Sequence, residues 1–436
     1  MTTSSCLSFF MKKYVQNFLR IRQMRIGRVK YDKMIVEKVR YAYKNDVGRV
    51  LNMNIGIDKL HFFTPHVYVD MEELAEARDV EPAKFTIGLG QTQQAVAPLT
   101  QDPVSMAANA AWPILSDEDK EAIDFIIVGS ESGVDQSKAM AVHVHQLLGI
   151  NPFARAIEMK EACYAATVGL QTAVSHIARH PESKVLVIAT DIARYGLNTS
   201  GESTQGAGAV AMLISKDPRV AVINDDAVSY TGDIYDFWRP NYSTYAQVDG
   251  KFSNEQYLSY LETVWTEYKK RTNKTLDDFK ALAFHLPYSK MGLKGLRQLL
   301  PEVDEAKQAA LTEQFEASRV YNKRVGNIYT GSLYLSLISL LDQSQDLEAG
   351  DTIGLYSYGS GAVGEFFSIS LVDGFKDMLA VDRHVAMLDN RVQLSVADYE
   401  LIFQEELPTD GSQLVLSEDE EQFQLAGVEG HKRLYK

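Results

Sequence analysis

Cysteine is nearly absent from this chain: 436 residues hold only Cys6 and Cys163. Two thiols cannot form a disulfide framework, which points to a reducing compartment and a cytoplasmic location. Nor can they build a cysteine-based zinc site, and the nine histidines are scattered, so no metal is expected. His143 and His145 stand two residues apart, which puts them on different faces of a helix. No run approaches the roughly 18 apolar residues of a membrane span, so no membrane partner is expected. Basic residues are in deficit, 44 against 58 acidic, for a net charge of −14. That balance argues against nucleic acid as a partner. Gly88-Leu89-Gly90 lacks the third glycine of a dinucleotide fingerprint, so no nucleotide cofactor is expected.

The charge is unevenly spread. Residues 1–52 hold twelve Lys/Arg and three Asp/Glu, a net of +9, which leaves −23 for the rest of the chain. At Met53 the texture changes: Met53-Asn-Ile-Gly-Ile-Asp-Lys-Leu60 reads as a fresh start into a first strand. The expectation is that residues 1–52 are a basic N-terminal extension outside the fold, with a targeting or membrane-surface arm as the alternative. The cluster Glu418-Asp-Glu-Glu421 reads as part of a solvated acidic tail.

What is present is an alternation of strand-like and helix-like stretches, the signature of layered α/β structure. Strands are expected at 124–129, 184–190, 207–214, 220–223, 281–285 and 352–357. Helices are expected at 137–148, closed by Gly149, and at 257–271. A repeat is visible as well. Gly206-Ala-Gly-Ala-Val-Ala211 resembles Gly359-Ser-Gly-Ala-Val-Gly364 at an offset of 153. The segment ending at Glu131 matches the one ending at His285 at an offset of 154. The two nearly equal offsets suggest duplicated halves of roughly 150 residues. Glu131 and His285 then occupy equivalent strand ends, where α/β sheets gather functional groups.

Cys163 opens a small-residue helical pattern running to about Ala178. A thiol at a helix N-terminus feels the positive end of the macrodipole, which favours thiolate and suits a covalent nucleophile. The bland alternative is an inert buried thiol. Asn327, in Gly326-Asn-Ile-Tyr-Thr-Gly331, precedes another small-residue helix where the second half's partner of Cys163 would fall. Thiolate, carboxylate, imidazole and amide form a coherent kit. The thiol could carry an acyl group as a thioester, and Glu131 could remove an α-proton from it. His285 could hydrogen-bond a carbonyl or shuttle a proton. Backbone N–H groups at the Cys163 helix start or in 359–361 could stabilise an oxyanion.

Six segments in order carry a family resemblance: Gly129-Ser-Glu-Ser-Gly-Val-Asp-Gln-Ser-Lys138, Glu161-Ala-Cys-Tyr-Ala-Ala166, Asp236-Phe-Trp-Arg-Pro240, Ala283-Phe-His-Leu-Pro-Tyr-Ser-Lys290, Gly326-Asn-Ile-Tyr-Thr-Gly331 and Tyr358-Gly-Ser-Gly361. Together they resemble hydroxymethylglutaryl-CoA synthase in its bacterial form, from Met53 to about residue 405. The resemblance implies a thiolase-like α/β fold of two duplicated halves in an αβαβα arrangement, 53–218 and 219–405, followed by an acidic tail, 406–436. It implies a homodimer that condenses acetyl-CoA with acetoacetyl-CoA in the mevalonate pathway, with coenzyme A thioesters as substrates and no further cofactor. In that pattern Cys163 is the acetylated nucleophile, Glu131 the general acid/base, and His285 the group that positions the acetoacetyl carbonyl. Asn327, Ser360, Tyr195, Lys290 and Asp236 correspond to substrate-binding positions, Lys290 as a basic contact to CoA. Asp135 and Asp191 correspond to supporting acids, with Asp236 also of that kind. Ala162 stands where a glycine would leave more room beside the nucleophile. The nearest rival is a β-ketoacyl-ACP synthase III type enzyme, which uses Cys, His and Asn without a base like Glu131. A non-catalytic acyl-CoA-binding protein of the same fold is the rival of another class.

Overall fold

The computed structural model describes residues 53–243 and 245–436, so the expectation for 1–52, Cys6 included, lies outside the described residues. Ten strands form the main sheet. In the first half they are β1 (Ile55–Phe63), β2 (Ile123–Gly129), β3 (Arg155–Met159), β4 (Lys184–Ala193) and β5 (Gly206–Lys216). In the second half they are β6 (Ala221–Ile223), β7 (Val228–Thr231), β8 (Ala281–Phe284), β9 (Thr352–Gly359) and β10 (Val363–Leu371). Their order is β8-β9-β10-β6-β1-β5-β4-β2-β3, with β7 on β10. The order is a near-palindrome about the β6–β1 junction. β2 runs parallel to β4, β4 antiparallel to β5, and β5 antiparallel to β1. β8, β9, β10 and β6 repeat those relations.

Strand periodicity sorts the side chains into layers, because alternate residues face opposite sides. Ile126, Val128, Leu186, Ile188 and Leu213 face the outer helices α1 (Pro103–Ala111) and α2 (Met140–Leu148). Their neighbours Ile127, Val185, Val187 and Met212 face inward, onto α3 (Ala165–Arg179). In the second half Leu282, Phe284, Tyr356 and Phe366 face α4 (Gly250–Thr272) and α5 (Ser289–Leu299). Ala281, Ala283, Ile353 and Phe367 face inward, onto α6 (Ser332–Gln343). Both inner sets and both inner helices share one core. The arrangement is therefore helix, sheet, helix, sheet, helix, with α3 and α6 as the central layer.

The structure corrects several expectations. The Gly/Ala strings are not residue-for-residue equivalents. Gly206 to Ala211 lies wholly within β5, whereas 359–364 ends β9, turns, and enters β10. The duplication is carried by strand order, and the string match only marks the entry to equivalent strands. The helix expected from 137 begins at Met140, because the Asp135 carboxylate takes the N–H groups of Ser137 and Lys138 into a turn. The helix expected from 257 begins at Gly250, where Asp249 caps the N–H of Phe252.

The acidic end of the chain is not a solvated tail. Leu414–Val415, Leu425–Glu429 and Lys432–Tyr435 form a small antiparallel sheet. Phe423, Leu425 and Val428 are buried. Asp419 accepts hydrogen bonds from Thr100 and Gln101, and Arg433 and Tyr435 both hold Asp102, the cap of α1. The acidic run masks the apolar residues behind it, which dock the segment on the body.

Candidate active site

β2 ends at Gly129, directly against the start of α3. A Cβ on Gly129 would sit 2.6 Å from the backbone nitrogen of Ala166, so only glycine permits the approach. Gly359, at the end of β9, packs from the other half: its Cβ would lie 2.5 Å from the Glu161 carbonyl. The loop carrying Cys163 is thus clamped between the ends of two equivalent sheets. Ala162 is forced to φ +41°, a left-handed conformation costly for a residue with a side chain.

Cys163 stands just ahead of α3, partly exposed, and its thiol donates to Glu131 Oε1 at 3.3 Å. Glu131 is 9% exposed. Burial first, then the charge of Asp191, pushes its carboxyl up to about 8, against a smaller pull from Arg239. Desolvation and the facing Glu131 carboxylate raise the Cys163 thiol well above its ordinary range. This corrects the expectation of a dipole-stabilised thiolate: at this helix start burial and a neighbouring anion outweigh the helix field, and the resting thiol keeps its proton.

Asp191, at the end of β4, organises the region beneath. It is fully buried. Its Oδ1 accepts from the Ser130 hydroxyl (3.0 Å), the Glu131 N–H (2.9 Å) and the Ser132 hydroxyl (2.8 Å). Its Oδ2 accepts from the N–H (3.1 Å) and hydroxyl (2.5 Å) of Thr330, which belongs to the second half. One carboxylate therefore fixes the backbone of Glu131 and ties the two halves together. Asn327, 1% exposed, accepts from the Tyr329 N–H and the Ser332 hydroxyl, both at 2.9 Å, and so shapes the loop before α6. The rings of Tyr195 and Tyr329 meet edge to face at 6.0 Å, and burial above all pushes both phenols up.

Asp236 is fully buried and pins the β9–β10 turn that holds Ser360. It accepts from the Tyr358 hydroxyl and the Gly361 N–H, each at 2.8 Å. His285 follows β8, beside β9. Its N–H bonds to the Tyr356 carbonyl, and its own carbonyl accepts from Tyr257. The ring is 2% exposed, Nδ1 has no hydrogen-bond partner among the described residues, and burial pulls its pKa down to about 3. It is a neutral imidazole, fit to donate a hydrogen bond and unsuited to carrying a proton at neutral pH.

Two sequence-derived positions are not drawn into this cluster. Asp135 is exposed and shapes the turn before α2. Lys290, partly exposed on the first turn of α5, donates to the Ile87 carbonyl at 3.0 Å. Sequence reasoning also missed participants. Ser130, Ser132 and Thr330 lie inside the motifs already singled out, but their shared acceptor became visible only in three dimensions. Glu365, on β10, accepts from the Tyr164 hydroxyl at 2.6 Å and so braces the residue after Cys163. No sequence signal marked it. Among the described residues no group of three or more His, Cys, Asp or Glu side chains is gathered in metal-binding fashion.

The chain matches the N-terminal model of hydroxymethylglutaryl-coenzyme A synthase over residues 51–219 and the C-terminal model over 222–316 and 297–412. It is 55% identical over 384 residues to the hydroxymethylglutaryl-CoA synthase of Enterococcus faecalis, covering 88% of this chain and all of that one. It is 36% identical over 377 residues to the polyketide-biosynthesis 3-hydroxy-3-methylglutaryl-ACP synthase PksG of Bacillus subtilis, covering 80% and 88%. A crystal structure of HMG-CoA synthase complexed with CoA superposes with a TM-score of 0.86 at 50% identity, covering 88% and 99%. With both halves of the fold matched in order, and the thiol–carboxyl pair lying where they meet, the chain belongs to the hydroxymethylglutaryl-CoA synthase family.

Proposed function

We propose that this protein condenses acetyl-CoA with acetoacetyl-CoA and water to give hydroxymethylglutaryl-CoA and CoA, through an acetyl group held on Cys163. The observation that carries this reading is the Cys163 thiol donating to the buried Glu131 carboxyl at 3.3 Å. A thiol that keeps its proton needs a base at the moment of attack, and Glu131 is in contact with it. As the Cys163 sulfur adds to the acetyl carbonyl, its proton passes to Glu131. Collapse of the tetrahedral adduct expels the CoA thiolate, which takes that proton back. Glu131, again a carboxylate, then removes a proton from the acetyl methyl group.

The enolate carbon attacks the ketone of acetoacetyl-CoA. His285, a neutral donor, polarises that ketone oxygen, and the Glu131 carboxylic acid protonates the resulting alkoxide. Water cleaves the Cys163 thioester and releases the product acid. A carboxyl titrating near 8 suits a group that must both accept and return a proton. The same carboxyl separates this reading from a β-ketoacyl-ACP synthase, whose decarboxylating condensation supplies the carbanion without a base.

Asn327, Ser360, Tyr195 and Asp236 shape the acyl cavity in this reading, and Lys290 meets CoA from the surface. The protein acts as a homodimer. Supporting this, β3 is the edge of the sheet, and Phe153 just before it is 93% exposed. No helix among the described residues is long and apolar enough to cross a membrane, which is compatible with a cytoplasmic enzyme of the mevalonate pathway.

The test is Glu131→Gln. Glutamine cannot take the thiol proton, but its introduction also removes one cause of the raised thiol pKa, so Cys163 should still take up acetyl from acetyl-CoA, more slowly and with its proton lost to solvent, read by intact mass. Condensation with acetoacetyl-CoA should fall by about 10²–10⁴-fold. Full condensation by this variant, or an adduct that persists in Cys163→Ala, would defeat the reading.

A further inference from the structure

The strands Phe237–Trp238 and Gln247–Val248 form a short antiparallel hairpin. Asp236 anchors its start: besides Tyr358 and Gly361 it holds the Ser253 hydroxyl at 3.0 Å, and its carbonyl takes the Asp249 N–H. The Phe237 ring lies edge to face against Tyr195 at 6.1 Å and Tyr329 at 5.8 Å, so this residue faces the site around Cys163. Successive residues of an extended chain point to opposite sides, and the residue before a proline is held extended. Trp238 accordingly turns outward, 37% exposed, and Arg239, before Pro240, returns to the side of Phe237. Its charge is felt at Glu131.

Arg239 is partly buried, yet it has no ion pair and no hydrogen bond among the described residues. Every other described arginine off the open surface is held by a carboxylate or a carbonyl. A guanidinium carries donors and no acceptor, so what this one lacks is an anion. Tyr329 is the independent observation. It is 1% exposed, and its hydroxyl has no partner at hydrogen-bonding geometry among the described residues. The hydroxyl leans toward the Tyr195 phenol, whose ring stands edge to face with its own. A buried polar atom left in that state requires a reason. Both groups are donors, and the charge of Glu131 couples to each.

We infer that Arg239, together with the Tyr329 hydroxyl, receives the carboxylate that appears when the Cys163 thioester is hydrolysed. This rests on the condensation reading above. In that step the water oxygen joins the acyl carbon as the C–S bond breaks. One water proton goes to the Cys163 sulfur, and the other passes to Glu131 as the new acid ionises. A carboxylate is thereby created close to Glu131 and Asp191, and Arg239 is the cation whose pull Glu131 already feels. The acetyl group on Cys163 and the acetoacetyl group carry no charge, so the guanidinium gains its partner only at the last step. The CoA phosphates, the other anions of the reaction, lie at the far end of the pantetheine arm.

The measurement is calorimetric binding to the full chain carrying Cys163→Ala, which cannot turn over. The probes are hydroxymethylglutaryl-CoA, 3-hydroxy-3-methylbutyryl-CoA, which lacks only the carboxylate, and CoA. Hydroxymethylglutaryl-CoA should bind at least about 10-fold tighter than the uncharged analogue, the worth of a charge-assisted hydrogen bond. Arg239→Gln should abolish that advantage and leave the affinities of the other two probes unchanged, while Arg239→Lys should retain part of it. Tyr329→Phe should weaken hydroxymethylglutaryl-CoA about 3–10-fold without lowering Tm, since no partner is orphaned. An equal loss for all three probes in Arg239→Gln would place the guanidinium on the CoA phosphates and overturn the inference. So would an undiminished advantage in that variant. Either result, beside normal acetylation and condensation by the unaltered chain, strikes this inference alone. An unaltered chain that neither acetylates nor condenses brings down the reading beneath it as well.

Discussion

Replacing Asp191 by Asn tests whether Glu131, the carboxyl proposed to move the protons, is tuned by its neighbour. The change keeps shape and removes one charge. If the amide oxygen takes the place of Oδ1, the contacts from Ser130, Glu131 and Ser132 survive, though no longer charge-assisted. The amide NH₂ then faces Thr330. That hydroxyl can turn to accept, but the buried Thr330 N–H loses its acceptor. An orphaned buried donor costs about 1–3 kcal/mol, and the weakened bonds add about 1 kcal/mol. A total of roughly 2–4 kcal/mol should lower Tm by several degrees.

The second effect is on Glu131. Asp191 is the largest charge raising its pKa after burial. Loss of that charge should bring the carboxyl down from about 8, by about one unit or more. The folded-state shift is upward, so lowering it extends the ionised, base-competent form toward acid pH. The assay is the pH dependence of acetyl-CoA methyl-proton exchange into deuterated solvent. The wild-type rate should rise with pH along a limb near 8, and the variant's limb should lie lower. A fall in Tm with an unmoved limb would refute the reasoning and leave Asp191 a purely structural brace.

Ala162→Gly should relieve the strain at φ +41°, a gain of about 1 kcal/mol largely offset by glycine's greater freedom when unfolded. Tm should therefore hardly change while turnover rises, and an unchanged kcat would remove the idea that Ala162 limits the rate. Asp119, held by Lys59 and Lys184 at 2.5 Å each and by Ser116, has its carboxyl drawn well below the ordinary range chiefly by those partners, against its burial. Asp119→Ala should cost about 2–4 kcal/mol in denaturant unfolding near pH 7. That contribution is complete above the unfolded value near 4 and is lost as pH falls further, so wild type and variant should converge in acid. Divergence there would contradict the ion-pair account. Finally, intact mass of the protein from its native source should show a chain starting at Met53, and retention of residues 1–52 would overturn that expectation.

Much of the candidate site was legible because the proposed chemistry needs particular residue types. A solitary thiol after Met53, a carboxylate and an imidazole at matching strand ends, and an Asn before a small-residue helix can be read from a line of letters. The layered fold was legible in the alternation of apolar runs, since strand periodicity and helix length are local properties. What escaped depended on partners far apart in sequence. Asp191 gains its importance from Thr330, 139 positions away, and Glu365 from Tyr164, 201 positions away. The acidic end read as solvated because charge is visible locally, while the groove that buries Phe423 is not.

The sequence by itself therefore determined the chemical kit, the duplication and the family resemblance. The tertiary structure decided the protonation of that kit. Helix position alone argued for a thiolate at Cys163. The desolvated contact with Glu131 reversed this, because an ion's energy depends on every group packed around it, and packing exists only once the two halves have closed on each other.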